Sequence, residues 1–246
     1  MTTWWPYLRL AAAGLALAAI VRQLSLAVAN AREADTAWGA CVPTVVANFF
    51  SYFTILSNLL AACVLLVGAI WLMRHRHGTV VEPAWLATLF ACATTYIVVT
   101  GVVYNLLLRS ISIAGISDAW TNETLHVVIP LVLLGDAFLA PKRRALPWRA
   151  IAVVVVFPII WVLYTMVRAN LVVGPLTGDP WWYPYPFLDP HLVPGGTLGV
   201  AGYIVGIAVA ITAVAAGVVW LGRYRARPAT SSPRSSSRHP GGGENW

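Results

Sequence analysis

Charge is what this sequence has least of. Only 10% of its 246 residues are Asp, Glu, Lys or Arg, against roughly 25% in a water-soluble domain, so the chain cannot coat a globular surface with charge. Its 59% hydrophobic content equally excludes a disordered or collagen-like chain. Cysteine is scarce as well. Cys41, Cys63 and Cys92 are the three present; an odd number, partly in apolar runs, offers no disulfide framework and no zinc spacing. Nowhere do His, Cys, Asp and Glu fall at ligand spacing, so the sequence predicts no metal and no cofactor. A Gly-rich phosphate loop and a nucleophile elbow are missing too. So is the apolar–polar alternation that a membrane barrel needs.

What the chain has is long apolar runs, at about Tyr7–Ala29, Val45–Met73, Trp85–Leu108, Thr121–Ala140, Arg149–Val167 and Leu198–Leu221. A helix of ~20 apolar residues crosses a bilayer core. The expected fold is therefore all-α, a polytopic bundle of six transmembrane helices over residues 1–222. A disordered basic cytoplasmic tail, residues 223–246, follows, rich in Arg, Ser, Pro and Gly. The first run imitates a cleavable signal peptide, but Arg22 and Gln23 just before Ala27-Val28-Ala29 favour a retained span.

The formal net charge of +7 matters less than where it sits. If the spans alternate, twelve of the sixteen basic residues share one side: Arg9, Arg74, Arg76, Lys142, Arg143, Arg144, Arg149, Arg223, Arg225, Arg227, Arg234 and Arg238. The other side holds Arg32, Arg109 and Arg168 beside Glu33, Asp35, Asp118, Glu123, Asp179 and Asp189. The basic excess marks the cytoplasmic face. The sequence thus predicts a multi-pass protein of the cell membrane with both termini cytoplasmic. The basic tail suits anionic lipid better than nucleic acid, and no nucleic-acid partner is expected.

Polar groups inside such runs are costly and mark either helix–helix contacts or a site. Asn48, Ser51, Thr54 and Asn58 recur at three- and four-residue steps, one face of a continuous second span. His126 falls within about 10 Å of the outer boundary of the fourth span. Thr54, some nine residues into its span, and Arg22, near the outer end of the first, reach a similar depth. A threonine with a histidine base is a nucleophile. Arg22, Asn58 and Tyr104 are the available donors for a carboxylate or an oxyanion. Asp136 reads as an interfacial ion pair with Lys142 or Arg143. The outer segment from Trp181 to Phe187 reads as an interfacial aromatic belt or as a rigid cap over the bundle.

Three segments carry a resemblance. They are Ser51-Tyr52-Phe53-Thr54-Ile55-Leu56-Ser57-Asn58, then Trp120-Thr121-Asn122-Glu123-Thr124-Leu125-His126-Val127-Val128-Ile129-Pro130-Leu131, then Tyr185-Pro186-Phe187-Leu188-Asp189-Pro190. Their order and placement resemble the androgen-induced and androgen-dependent family of multi-pass membrane proteins and its bacterial relatives, over about Tyr7–Leu221. The resemblance implies a threonine hydrolase of fatty-acid esters of hydroxy fatty acids, with Thr54 as nucleophile and His126 as the essential histidine. The expected partner is then a membrane lipid or fatty-acid ester. A non-catalytic lipid-binding or scaffold protein is the alternative. A transporter finds no repeat of interrupted half-helices to support it.

Overall fold

The computed structural model describes residues 4–110 and 118–226. Expectations that concern Arg227, Arg234, Arg238 and the tail beyond residue 226 lie outside the described residues. The described chain is all helical, with seven helices: α1 (Trp5–Glu33), α2 (Val42–Phe49), α3 (Phe53–Arg74), α4 (Ala84–Leu108), α5 (Ala119–Leu139), α6 (Ala150–Ala169) and α7 (Gly196–Arg225). All but α2 are long and apolar enough to cross a membrane. The last helix runs to Arg225 and so takes in the first three residues of the expected tail.

Successive spans run in opposite directions, and their ends sort into two layers. One layer joins Trp5 and Arg9 to Asp136, and Arg225 to the carbonyls of Ala137 and Ala140. The other joins Arg22 to Asp118, Arg109 to Glu123 and Arg168 to Asn48. Helix α4 is the most buried span and contacts α3, α5, α6 and α7. The most extensive helix pairing is α1 on α3. There Ala12, Ala13 and Ala16 meet Ala61, Ala62 and Leu65 in one buried cluster, and side chains this small let two helices approach closely in lipid.

The second apolar run is not one helix, which corrects the expectation of a continuous span from Val45. The chain turns at Phe50–Tyr52, where Tyr52 is extended at φ −68°, ψ 127°. Tertiary bonds hold this break. The Trp161 indole donates to the Ser51 carbonyl at 3.0 Å, and Ser51 Oγ pairs with the Tyr164 hydroxyl at 3.0 Å. Asn48 and Ser51 therefore do not share a helix with Thr54, which becomes the second residue of α3 rather than the ninth of a longer span.

Two helix turns are widened. Arg109 N–H donates five residues back to the Tyr104 carbonyl at 2.8 Å, and Ile129 N–H does the same to Thr124. Pro130 has no N–H to give the His126 carbonyl, so the helix is already weakened there. Gly101 of α4 packs against that spot. A Cβ on Gly101 would lie 2.9 Å from the His126 carbonyl oxygen, so the missing side chain is what lets α4 and α5 approach.

Asp136 pairs with Arg143, one of its two expected partners, and not with Lys142. It is 2% exposed, and its main partner is Arg9 at 2.7 Å, with Arg143 at 3.7 Å and the Trp5 indole at 2.8 Å. Lys142 instead bonds the carbonyls of His75 and Gly78. Glu82 joins this cluster through Arg143 at 3.3 Å. Burial raises its carboxyl pKa, and the nearby Arg143 guanidinium and Arg144 N–H oppose that. Arg9 and Arg143 both lie over the Phe90 ring, at 4.5 and 4.2 Å.

Candidate functional site

Three elements meet at Thr54. It opens α3, where the first backbone N–H groups have no partner within the helix. Its Oγ1 lies 3.4 Å from His126 Nε2, on the widened turn of α5. On its other side stands Tyr185, from the segment between α6 and α7, with its hydroxyl 3.2 Å from Thr54 Oγ1. The same hydroxyl accepts the Thr54 N–H at 3.0 Å. Thr54, His126 and Tyr185 are all buried.

The histidine tautomer follows from its surroundings. Nδ1 is 2.9 Å from the Asn122 carbonyl, one helical turn earlier. A carbonyl only accepts, so Nδ1 carries the proton and Nε2 presents its lone pair to Thr54. The Tyr104 ring stacks on the imidazole, with centroids 4.0 Å apart and planes at 23°. Asn122 Nδ2 in turn donates to the Tyr104 hydroxyl at 2.5 Å. The imidazole is thus held at one nitrogen and one face, with the other nitrogen aimed at a hydroxyl.

Thr54 lies on the wall of an apolar cavity of about 300 Å³ between α4, α6 and α7. Phe53, Val103, Tyr104, Trp161, Ile204 and Ile211 line it among others. Its lining on α7 runs from Ile204 to Thr212, which at the helical rise is about 12 Å along the helix axis. Ile159 of α6 and Ala208 of α7 line it and are exposed. A second cavity of about 430 Å³ lies under the segment between α6 and α7 and is lined by Asn48, Tyr52, Trp182 and Asp189 among others. Tyr185 borders both cavities.

Of the residues singled out in the sequence, Thr54, His126, Tyr104 and Asn58 come together and Arg22 does not. Arg22 bonds Asp118 at 2.7 Å with its side chain 48% exposed. Glu123 pairs with Arg109 at 2.8 Å. Arg22 keeps a partner in its own layer and turns away from the site. Asn58 is fully buried beside Thr54, but both its amide hydrogens are used, on the Thr54 carbonyl at 2.9 Å and the Leu125 carbonyl at 3.2 Å. It has none left for an oxyanion; it ties α3 to α5 and so sets the Thr54–His126 spacing.

Asn122 and Tyr185 were not singled out as site residues. Asn122 stands four residues before His126, a signal of a shared helix face that was available. The segment that holds the Trp181–Phe187 cluster caps the bundle: Tyr185, Phe187 and Leu188 are buried against Tyr104, Leu108 and Val200.

Fold and site together define a multi-pass helical membrane protein with a buried threonine–histidine pair beside an apolar cavity. No protein-family model, curated protein or solved structure matches this chain.

Proposed function

We propose that this protein is a membrane-embedded threonine hydrolase of long-chain lipid esters. The observation that carries the reading is the Thr54 hydroxyl beside a histidine nitrogen left bare by the tautomer that the Asn122 carbonyl imposes. The apolar cavity next to it suits an acyl chain, and the resemblance of the three sequence segments favours fatty-acid esters of hydroxy fatty acids. In this reading the basic side of the chain is cytoplasmic, both termini lie there, and the site occupies the outer-leaflet third.

The chemistry follows in two halves. Thr54 Oγ attacks the ester carbon as its proton passes to His126 Nε2, and the carbonyl electron pair moves onto oxygen. When the pair returns, the bond to the alcohol oxygen breaks and that oxygen takes the proton from Nε2, leaving an acyl-threonine. Water gives a proton to His126 and attacks the same carbon. Thr54 leaves with that proton, releasing the fatty acid. Nδ1 keeps its proton on the Asn122 carbonyl throughout.

A fluorophosphonate probe tests the reading directly. Thr54 is expected to displace fluoride and carry the phosphonyl group, located by mass spectrometry of the labelled peptide. A protein that binds long-chain esters but is not labelled at Thr54 is a lipid-binding scaffold instead. Chain-length preference tests the cavity. Ala208→Trp places a bulky ring on its wall, and the ratio of turnover on hexadecanoyl to butanoyl esters is expected to fall by at least about tenfold. An unchanged ratio means the acyl chain lies elsewhere.

A further inference from the structure

Hydrogen-bond counting at Thr54 assigns a role to a residue outside the threonine–histidine pair. Thr54 has one hydroxyl proton. His126 Nε2, with its lone pair toward Thr54, takes that proton. The contact of 3.2 Å between Thr54 Oγ1 and the Tyr185 hydroxyl must then run the other way, from the phenol to the threonine oxygen. At the same time the phenol oxygen accepts the Thr54 N–H at 3.0 Å. That amide belongs to the first turn of the 22-residue helix α3, where unpaired N–H groups and the helix dipole favour negative charge. An accepted bond from such a donor strengthens the donation the phenol makes in return.

We propose that Tyr185 is a further catalytic residue, whose phenol donates to the oxygen that becomes negative when Thr54 attacks an ester. The proposal rests on the hydrolase reading above. In the tetrahedral intermediate the charged oxygen is two bonds from Thr54 Oγ1, on the carbon that oxygen has just joined. Once Thr54 has given its proton to His126 and bonded to carbon, its oxygen needs the phenol's hydrogen less. Rotation about the phenol C–O bond redirects that hydrogen to the new anion, and no proton leaves Tyr185.

The alternative donors are spent or elsewhere. Asn58 has given both amide hydrogens to carbonyls and Arg22 is paired with Asp118. The Tyr104 hydroxyl accepts from Asn122 and keeps its own hydrogen, but no hydrogen bond joins it to Thr54 among the described residues. Of these four side chains, Tyr185 is the one bonded to the Thr54 hydroxyl. Its place on the wall of both cavities also sets it where the scissile bond lies, if the acyl chain enters one cavity and the alcohol portion the other. Burial raises the phenol's pKa, which keeps it protonated and able to donate at neutral pH.

The test is turnover of a hexadecanoyl ester by purified protein carrying Tyr185→Phe, with 3-fluorotyrosine at position 185 as a second variant. Phenylalanine keeps the ring that packs on Phe187 and Tyr52 at 5.1 and 5.7 Å. The kcat of Tyr185→Phe is expected to fall by about 10²–10³, the usual loss for one oxyanion donor, with KM nearly unchanged. Fluorotyrosine keeps fold and hydroxyl but makes a stronger donor, and should shift kcat by about twofold at constant KM. Tyr185→Phe turnover at the wild-type level overturns the proposal, as does an unchanged kcat with fluorotyrosine should the phenylalanine variant not fold. A wild-type protein without Thr54-dependent turnover removes the hydrolase reading itself, and this role with it.

Discussion

Thr54→Ala and His126→Ala are each expected to reduce long-chain ester hydrolysis by at least about 10³-fold, and the double variant to be no worse than either single one. A threonine hydroxyl is a poor nucleophile until a base removes its proton, and the Thr54–His126 distance of 3.4 Å is one that tightens when substrate is bound. Two residues that act as one unit lose their function together, so the losses do not add. Stability should change little in Thr54→Ala, because the helix start that it occupies is held by the Ile55 and Leu56 N–H groups on the Tyr52 carbonyl at 3.1 and 3.2 Å. The measurement is initial rate against variant in detergent, with thermal unfolding alongside. Wild-type turnover in Thr54→Ala would end the nucleophile assignment. Additive losses would mean that the two residues act separately.

The largest effect on stability is expected at the other end of the bundle. Asp136→Leu removes the carboxylate that Arg9 grips through two bonds, at 2.7 and 3.0 Å, with both side chains at most 3% exposed. Arg143 loses a partner at 3.7 Å and the Trp5 indole an acceptor at 2.8 Å. A guanidinium left buried without its counter-charge typically costs about 3–5 kcal/mol. Arg9→Met combined with Asp136→Leu deletes both charges and keeps the volume, and is expected to recover most of that loss. The Glu82–Arg143 pair at 3.3 Å stays intact in both variants. Thermal or denaturant unfolding in detergent measures each. A single variant within about 1 kcal/mol of wild type would show that water reaches Arg9 and screens it.

The spans were legible because a bilayer asks for so little. A run of ~20 apolar residues crosses the hydrocarbon, and the backbone must bond to itself there, so length and hydropathy suffice to predict six helices. The seventh helix was not legible as a separate element. Val45 to Met73 is apolar throughout, and nothing in its composition marks Tyr52 as the break. The break exists because Trp161 and Tyr164, more than a hundred positions away, bond to Ser51.

Thr54 and His126 stood out as polar residues in apolar sequence, and that cost makes such residues visible. Their partners did not stand out. Within a uniformly apolar helix no pattern says which face meets which neighbour, so Arg22 looked available to the site until Asp118 was seen to hold it. The same blindness hid the match of Arg9 with Asp136, 127 positions apart, and that of Tyr185 with Thr54, 131 apart. The sequence by itself determined the number of spans, their alternation and the polar residues they carry, since these depend on transfer from water to lipid, one segment at a time. The tertiary structure alone decided which of those residues touch, because that depends on how helices pack, and in lipid close packing and hydrogen bonds choose the partners.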